Sequence, residues 1–174
     1  MSTAGPTICG TAANAAGSFP WVNPTNFTAE DASFATWVAN GGYADYLLAT
    51  NFGWSLTGMT VTNVKVEVKG KQDGTYNSSA CRFQKTDGSI DDYLGTAVLT
   101  ATNAWQTVYD GAPGVGWAAA IQTNTDRYAI HTYNEPSTTS TVSLDALRTT
   151  VTYTAGGMSF GKISRVAVQR AANW

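Results

Sequence analysis

The chain contains one histidine, His131, and two cysteines, Cys9 and Cys81. These are the side chains best able to exchange a proton or attack an electrophile near neutral pH. A nucleophilic triad would set His131 between an acid and one of these cysteines, or a serine. No Gly-x-Ser-x-Gly elbow and no recognised cysteine motif marks such a nucleophile. His131 also stands inside an alternating stretch, Tyr128 to Tyr133, where a lone histidine reads as structural. Asp91 and Asp92 are the best pair of carboxylates. Adjacent strand residues point to opposite faces, so these two would not flank one bond as glycosidase acids must. They read as a solvated turn before Tyr93, and no catalytic residue is assigned.

Binding motifs are equally sparse. The run from Gly111 to Gly116 is glycine-rich, but it lacks the Lys-Ser/Thr of a phosphate loop and precedes no evident helix. Asn124 and Asp126 are too few for a calcium loop. Two cysteines are too few for a zinc site or a disulfide framework, and a single bridge between them depends on their separation in space. No cofactor or metal is therefore expected. Trp21, Trp37, Trp54, Trp105 and Trp117 sit beside apolar or turn residues and read as core or rim packing. A sugar platform would need two or three of them exposed on one face.

The elements that hold these residues are strands. Val64-Lys65-Val66-Glu67-Val68-Lys69 alternates strictly, with valines on one face and charges on the other, as in a half-buried antiparallel strand. Gly70 and then Asp73-Gly74 are expected to close it. Further strands are predicted at Tyr43 to Phe52, Ser79 to Lys85, Tyr93 to Leu99, Trp105 to Tyr109, Tyr128 to Tyr133 and Thr141 to Thr154. In the last of these the apolar parity switches at Ala146-Leu147, which predicts a bulge. Asp31 to Asn40 reads as a short helical turn ended by Gly41-Gly42, and Asp110 to Gly116 as a loop with Trp117 packed over the core. No window carries a helical apolar period over three turns. Short strands at this spacing predict an all-β chain, an antiparallel β-sandwich or jelly roll. Residues 1–20 read as an extended N-terminal arm, 21–155 as the sandwich, and 156–174 as a C-terminal arm.

Of the 174 residues 43% are hydrophobic and only 13% charged, about half the usual charged share. Much of the surface must then be Thr, Ser, Asn and Gly, or must be covered by something else. The net charge of −2 supplies no basic field for nucleic acid or anionic lipid. No apolar run has the length of a membrane span, and the first residues have no secretory signal pattern, so synthesis in a cytoplasm is expected. Basic residues without acids collect in the C-terminal arm, where Lys162, Arg165, Arg170 and the aromatic Trp174 form a candidate interface.

A family pattern is carried by Trp21-x-Asn23-Pro24-x-Asn26, by Asp31-x-Ser33 with Ala35-Thr36, and by Tyr46-Leu47-x-Ala49-Thr50-Asn51-Phe52-Gly53. The alternating valines from Val61 to Val68 extend it. So do Trp105, Tyr109-x-Gly111, Gly116-Trp117 and Leu144-Asp145-Ala146-Leu147-x-x-Thr150-Val151-x-Tyr153. Over roughly residues 20–155 the chain resembles virion structural proteins of tailed bacteriophages. The resemblance implies a jelly-roll-like sandwich acting as a head decoration (cement) protein in the virion. Its partner would be the major capsid protein or another virion protein, and it would itself be a homo-oligomer, with a trimer as the common form. The alternative that keeps the tryptophans in play is a glycan-binding module of a phage tail or fibre.

Overall fold

A computed structural model of the protein describes residues 1–73, 80–86 and 92–156. Ten strands build two five-stranded antiparallel sheets, the layers of an all-β sandwich. The first sheet comprises β1 (Ser2–Ile8), β3 (Ala35–Tyr43), β5 (Met59–Asp73), β8 (Ala104–Gly111) and β10 (Tyr133–Ala155). The second holds β2 (Thr11–Asn14), β4 (Leu47–Thr50), β9 (Arg127–His131), β6 (Ala80–Thr86) and β7 (Asp92–Val98), side by side in that order. The core between the sheets is filled from both: Val64, Val66, Val68 and Leu147 from one, Leu47, Tyr128 and Ile130 from the other.

β5 behaves as its alternation predicts. Val64, Val66 and Val68 are fully buried, while Lys65 and Lys69 keep partial exposure on the outer face. The strand does not stop at Gly70, however, and runs on to Asp73. The physical reason lies across the ladder. Gly70 pairs with Leu144, and a Cβ there would come within 2.8 Å of the Leu144 side chain and of the Ser143 carbonyl oxygen. The glycine serves close packing between strands.

β10 is the longest element. Its Thr- and Val-rich sequence suits a pleated, half-buried surface. Against β5 its register slips between Leu144 and Ala146, so that Asp145 is the extra residue. This is the predicted bulge, one residue earlier than the parity switch suggests, and it turns Leu147 and Val151 inward after Val142 and Leu144. On its other edge β10 is covered in relay. β3 pairs with Tyr133 to Leu144, Thr28 bridges Ala146, the Cys9 amide donates to the Leu147 carbonyl, and β1 pairs with Arg148 to Tyr153.

The N-terminal residues depart from the expected arm. Ser2–Ile8 lies in the first sheet and Thr11–Asn14 in the second, so the chain crosses between layers at Cys9-Gly10. Small, β-compatible side chains let these strands pair without announcing a buried face. Asp31 to Asn40 is likewise not a helical turn: β3 begins at Ala35 and continues through Gly41-Gly42. A 3-10 turn forms earlier, at Pro24–Phe27, where proline suits the first helical positions. The glycine-rich run leads into a helix after all, α1 (Val115–Gln122). Two turns are too short to display a three-turn period, and Trp117 and Ile121 are its buried residues. On the side where β7 meets β8, a Cβ at Gly95 would stand 2.2 Å from the Val108 carbonyl oxygen, so glycine permits the two sheets to touch.

Candidate functional site

His131 ends β9 almost wholly buried, between two tyrosines. Its ring lies 5.1 Å from Tyr46 in an edge-on contact and 6.0 Å from Tyr43. Cys9 is a free thiol in a different place, at the crossing between the sheets. Its Sγ donates to the Phe27 carbonyl at 3.4 Å, and burial pushes its pKa up to about 12. A thiol held protonated in this way is a poor nucleophile. The structure therefore does not bring His131 and Cys9 together. Asp91, the side chain of Cys81 and the four interface residues Lys162, Arg165, Arg170 and Trp174 lie outside the described residues.

The acid with the most perturbed setting is one that the sequence points to only as half of an insufficient calcium pattern. Asp126 precedes β9 and is 1% exposed. Its Oδ2 accepts from Trp54 Nε1 at 3.4 Å, while Oδ1 has no hydrogen-bond partner. Burial, the largest influence, pushes its pKa up to about 6 against the lowering effect of the Trp54 and Tyr128 hydrogen-bonding groups. Two residues on, Tyr128 is fully buried, and burial together with the charge of Asp126 holds its phenol well above its ordinary value. Aromatic rings close over the pair. Phe52 meets Tyr128 edge-on at 5.2 Å and stacks on Trp54, and Trp117 from α1 meets both Tyr109 and Tyr128.

A second polar assembly spans the outer face of the first sheet. Glu67 accepts from Lys65 Nζ at 2.8 Å and from Arg148 Nε at 2.9 Å. Burial alone would raise the Glu67 pKa, but these two cationic donors outweigh it and hold the carboxyl below its usual range. Next to it Lys69 Nζ lies 2.8 Å from Glu30 and 3.2 Å from the fully buried Asp145. Asp145, the bulge residue, also accepts from the Ala32 amide and from Asn103 Nδ2. The bulge thus turns a carboxylate toward the outer layer, where it ties down the loop after the 3-10 turn. Three cations face three anions here, so the face is internally neutralised.

Four of the tryptophans, Trp21, Trp37, Trp54 and Trp117, are buried, and Trp105 carries the Arg148 guanidinium on its ring. They do not form an open stacking platform. Several large apolar side chains are exposed instead on β3 and on the segment beside it. Phe19, Val22, Val38 and Tyr43 are each more than half exposed. Val22 is tied to β3 by two backbone hydrogen bonds with Thr36, and Phe19 is held just beyond the strand by Asp45, whose amide donates to the Phe19 carbonyl and whose carboxylate accepts from the Phe19 amide. The residues alone do not announce this exposure, because the four come from two segments that only the fold sets side by side. Among the described residues no group of His, Cys, Asp and Glu is arranged to hold a metal ion, and no helix is long and apolar enough to cross a membrane. No protein-family model matches the chain, and no curated protein matches it either.

Proposed function

We propose that the protein is a structural component of a bacteriophage particle, a head decoration protein that binds across capsid subunit joints. The observation that carries this reading is the exposure of Phe19, Val22, Val38 and Tyr43, on and beside β3, on a chain of low charge. Large apolar side chains left exposed where charge is sparse favour a role in contact with another surface. Charge distribution supports it: residues 157–174 carry three basic residues and no acid, leaving the preceding residues with seven basic and twelve acidic ones. A basic segment on an acidic body suits a neighbour with exposed carboxylates, and Lys162, Arg165, Arg170 and Trp174 would make those contacts. A decoration protein stabilises the expanded shell by binding it in preference to other states. The glycan-binding alternative loses its motive with four tryptophans in the core.

The test is binding to expanded heads of the phage whose genome encodes the chain. Val38→Lys and removal of residues 158–174 should each leave a folded domain and weaken head binding by about tenfold or more, the scale of an interface anchor. Unchanged head binding in both proteins would overturn the reading.

A further inference from the structure

Asp126 lies under a lid made of two connections. One is the loop of residues 51–58 between β4 and β5, and the other is α1 with the turn that follows it. The two are tied together: Asn124 Oδ1 accepts from the Trp54 amide at 3.1 Å, Asn124 Nδ2 donates to Asn51 Oδ1, and Thr57 Oγ1 donates to the Gln122 carbonyl. Trp54 from the loop and Trp117 from α1 then press on Phe52 and Tyr128. Among the described residues, the side chain beneath them that can change its charge near neutral pH is Asp126.

We propose that Asp126 is a proton-operated latch, which when protonated holds the 51–58 loop and α1 closed over Tyr128 and when ionised loosens them. In the closed arrangement the carboxyl is buried, with a long hydrogen bond from Trp54 Nε1 and Tyr128 as a further hydrogen-bonding neighbour. A neutral carboxyl can donate its O–H to the neighbouring Tyr128 hydroxyl, whereas an ionised one can only accept, from that hydroxyl and from Trp54 Nε1. A carboxylate cannot donate, and a buried charge without a cation is costly.

Among the described side chains, the two halves of the lid offer no cation. Residues 51–58 and α1 contain no charged side chain, and neither does β4. β5 faces the core with Val64, Val66 and Val68, its lysines being on the outer face. From β8 comes Tyr109, whose hydroxyl is bonded to the Ala112 carbonyl, while Asp110 accepts from Asn63. Arg127 follows Asp126 directly and by alternation lies on the other side of the strand. The ionised carboxyl gains most by reaching water, and lifting Trp54 is the shortest way to let water in. Burial raises the proton affinity into the range near pH 6, so the latch would work across mildly acidic to neutral conditions.

Hydrogen exchange of the full chain, read by peptide mass and corrected for intrinsic rates, tests this at about pH 5 and about pH 7.5. Segments 51–58 and 115–122 should exchange roughly tenfold faster or more at the higher pH, and should be less protected there than β5 and β10, which open only with the whole fold. In D126N the two segments should be equally protected at both pH values. Equal protection of the wild-type segments at both pH values, or a pH effect that persists in D126N, would overturn the proposal. Trp54→Phe supplies an independent check, because it keeps the ring stack but removes the donor that favours the carboxylate. The midpoint of loosening should then move to higher pH, and a midpoint that stays in place would count against the latch.

Discussion

The Arg148 guanidinium lies 3.9 Å above the centre of the Trp105 ring while its Nε donates to Glu67 at 2.9 Å. One side chain therefore covers a half-buried tryptophan and neutralises a mostly buried carboxylate on the neighbouring strand. Arg148→Ala should destabilise the fold by roughly 1–3 kcal/mol, the cost of leaving a buried acceptor with fewer charged partners. Arg148→Lys should recover only part of this, because an ammonium does not present the planar fork that can lie on the indole and reach Glu67 together. Chemical denaturation followed by Trp fluorescence measures both.

The same carboxylate sets an acid limit. Glu67 is held below its ordinary pKa in the fold, so the unfolded chain binds the proton more readily. Its stabilising contribution is present above the unfolded value and is lost as pH falls through the folded one. Glu67→Gln should flatten the acid side of the stability curve, as measured by urea midpoints between about pH 3 and about pH 5.

Asp126 has the opposite sign. Its folded pKa of about 6 lies above the ordinary 3.8, so the folded state holds the proton more tightly. Stability from this group is full below about pH 4, falls as pH rises toward about 6, and is flat beyond. The span is roughly 2–3 kcal/mol. Asp126→Asn should remove the decline and leave the protein more stable than wild type near pH 7.5. A wild-type midpoint that does not fall between about pH 4 and about pH 6.5, once the Glu67 contribution is removed with Glu67→Gln, would contradict this.

The two faces of β5 give a packing test. Val66→Asp should cost several kcal/mol, since it buries an unpaired carboxylate in the core. Lys65→Ala should cost at most about 1 kcal/mol, because Lys65 is partly exposed and Glu67 keeps Arg148. Lys65→Asp is not a neutral control: it would set a second acid beside Glu67.

Cys9 should be silent. In a Cys81→Ser protein, a thiol reagent should label Cys9 only after denaturant is added, because the native sulfur is buried and protonated near neutral pH. Prompt labelling of the native protein would contradict its placement.

What could be read in the residues, and what could not, follows from how each position is specified. The β5 valines announce their strand because one face is apolar and the other charged, and the parity switch near Ala146 announces the bulge because inserting Asp145 reverses every later side chain. Such patterns are local. β1 and β2 carry no comparable signal; they are strands because β10 and β4 offer them free edges. Gly41-Gly42 and Gly70 look like stops, yet a glycine inside a paired strand can equally mark a close approach, and only the partner distinguishes the two. The Asp126 setting was the least legible. Its chemistry comes from Trp54 and Trp117, distant in the chain, and from the burial of a carboxyl that by sequence looks like an ordinary turn residue.

The strand that organises the first sheet is made after all the others of that sheet. β10 pairs with β1, β3 and β5, and β8 is held through β5. On a ribosome, residues 2–8 and 35–43 must therefore wait, without the ladder that will hold them, until residues 133–155 have been synthesised. Contacts spread so far along the chain slow the search for the native arrangement. They also leave β-prone edges open in the meantime. We expect assembly of this sheet to be post-translational and nearly all-or-none, with fragments that stop before residue 133 gaining little ordered structure.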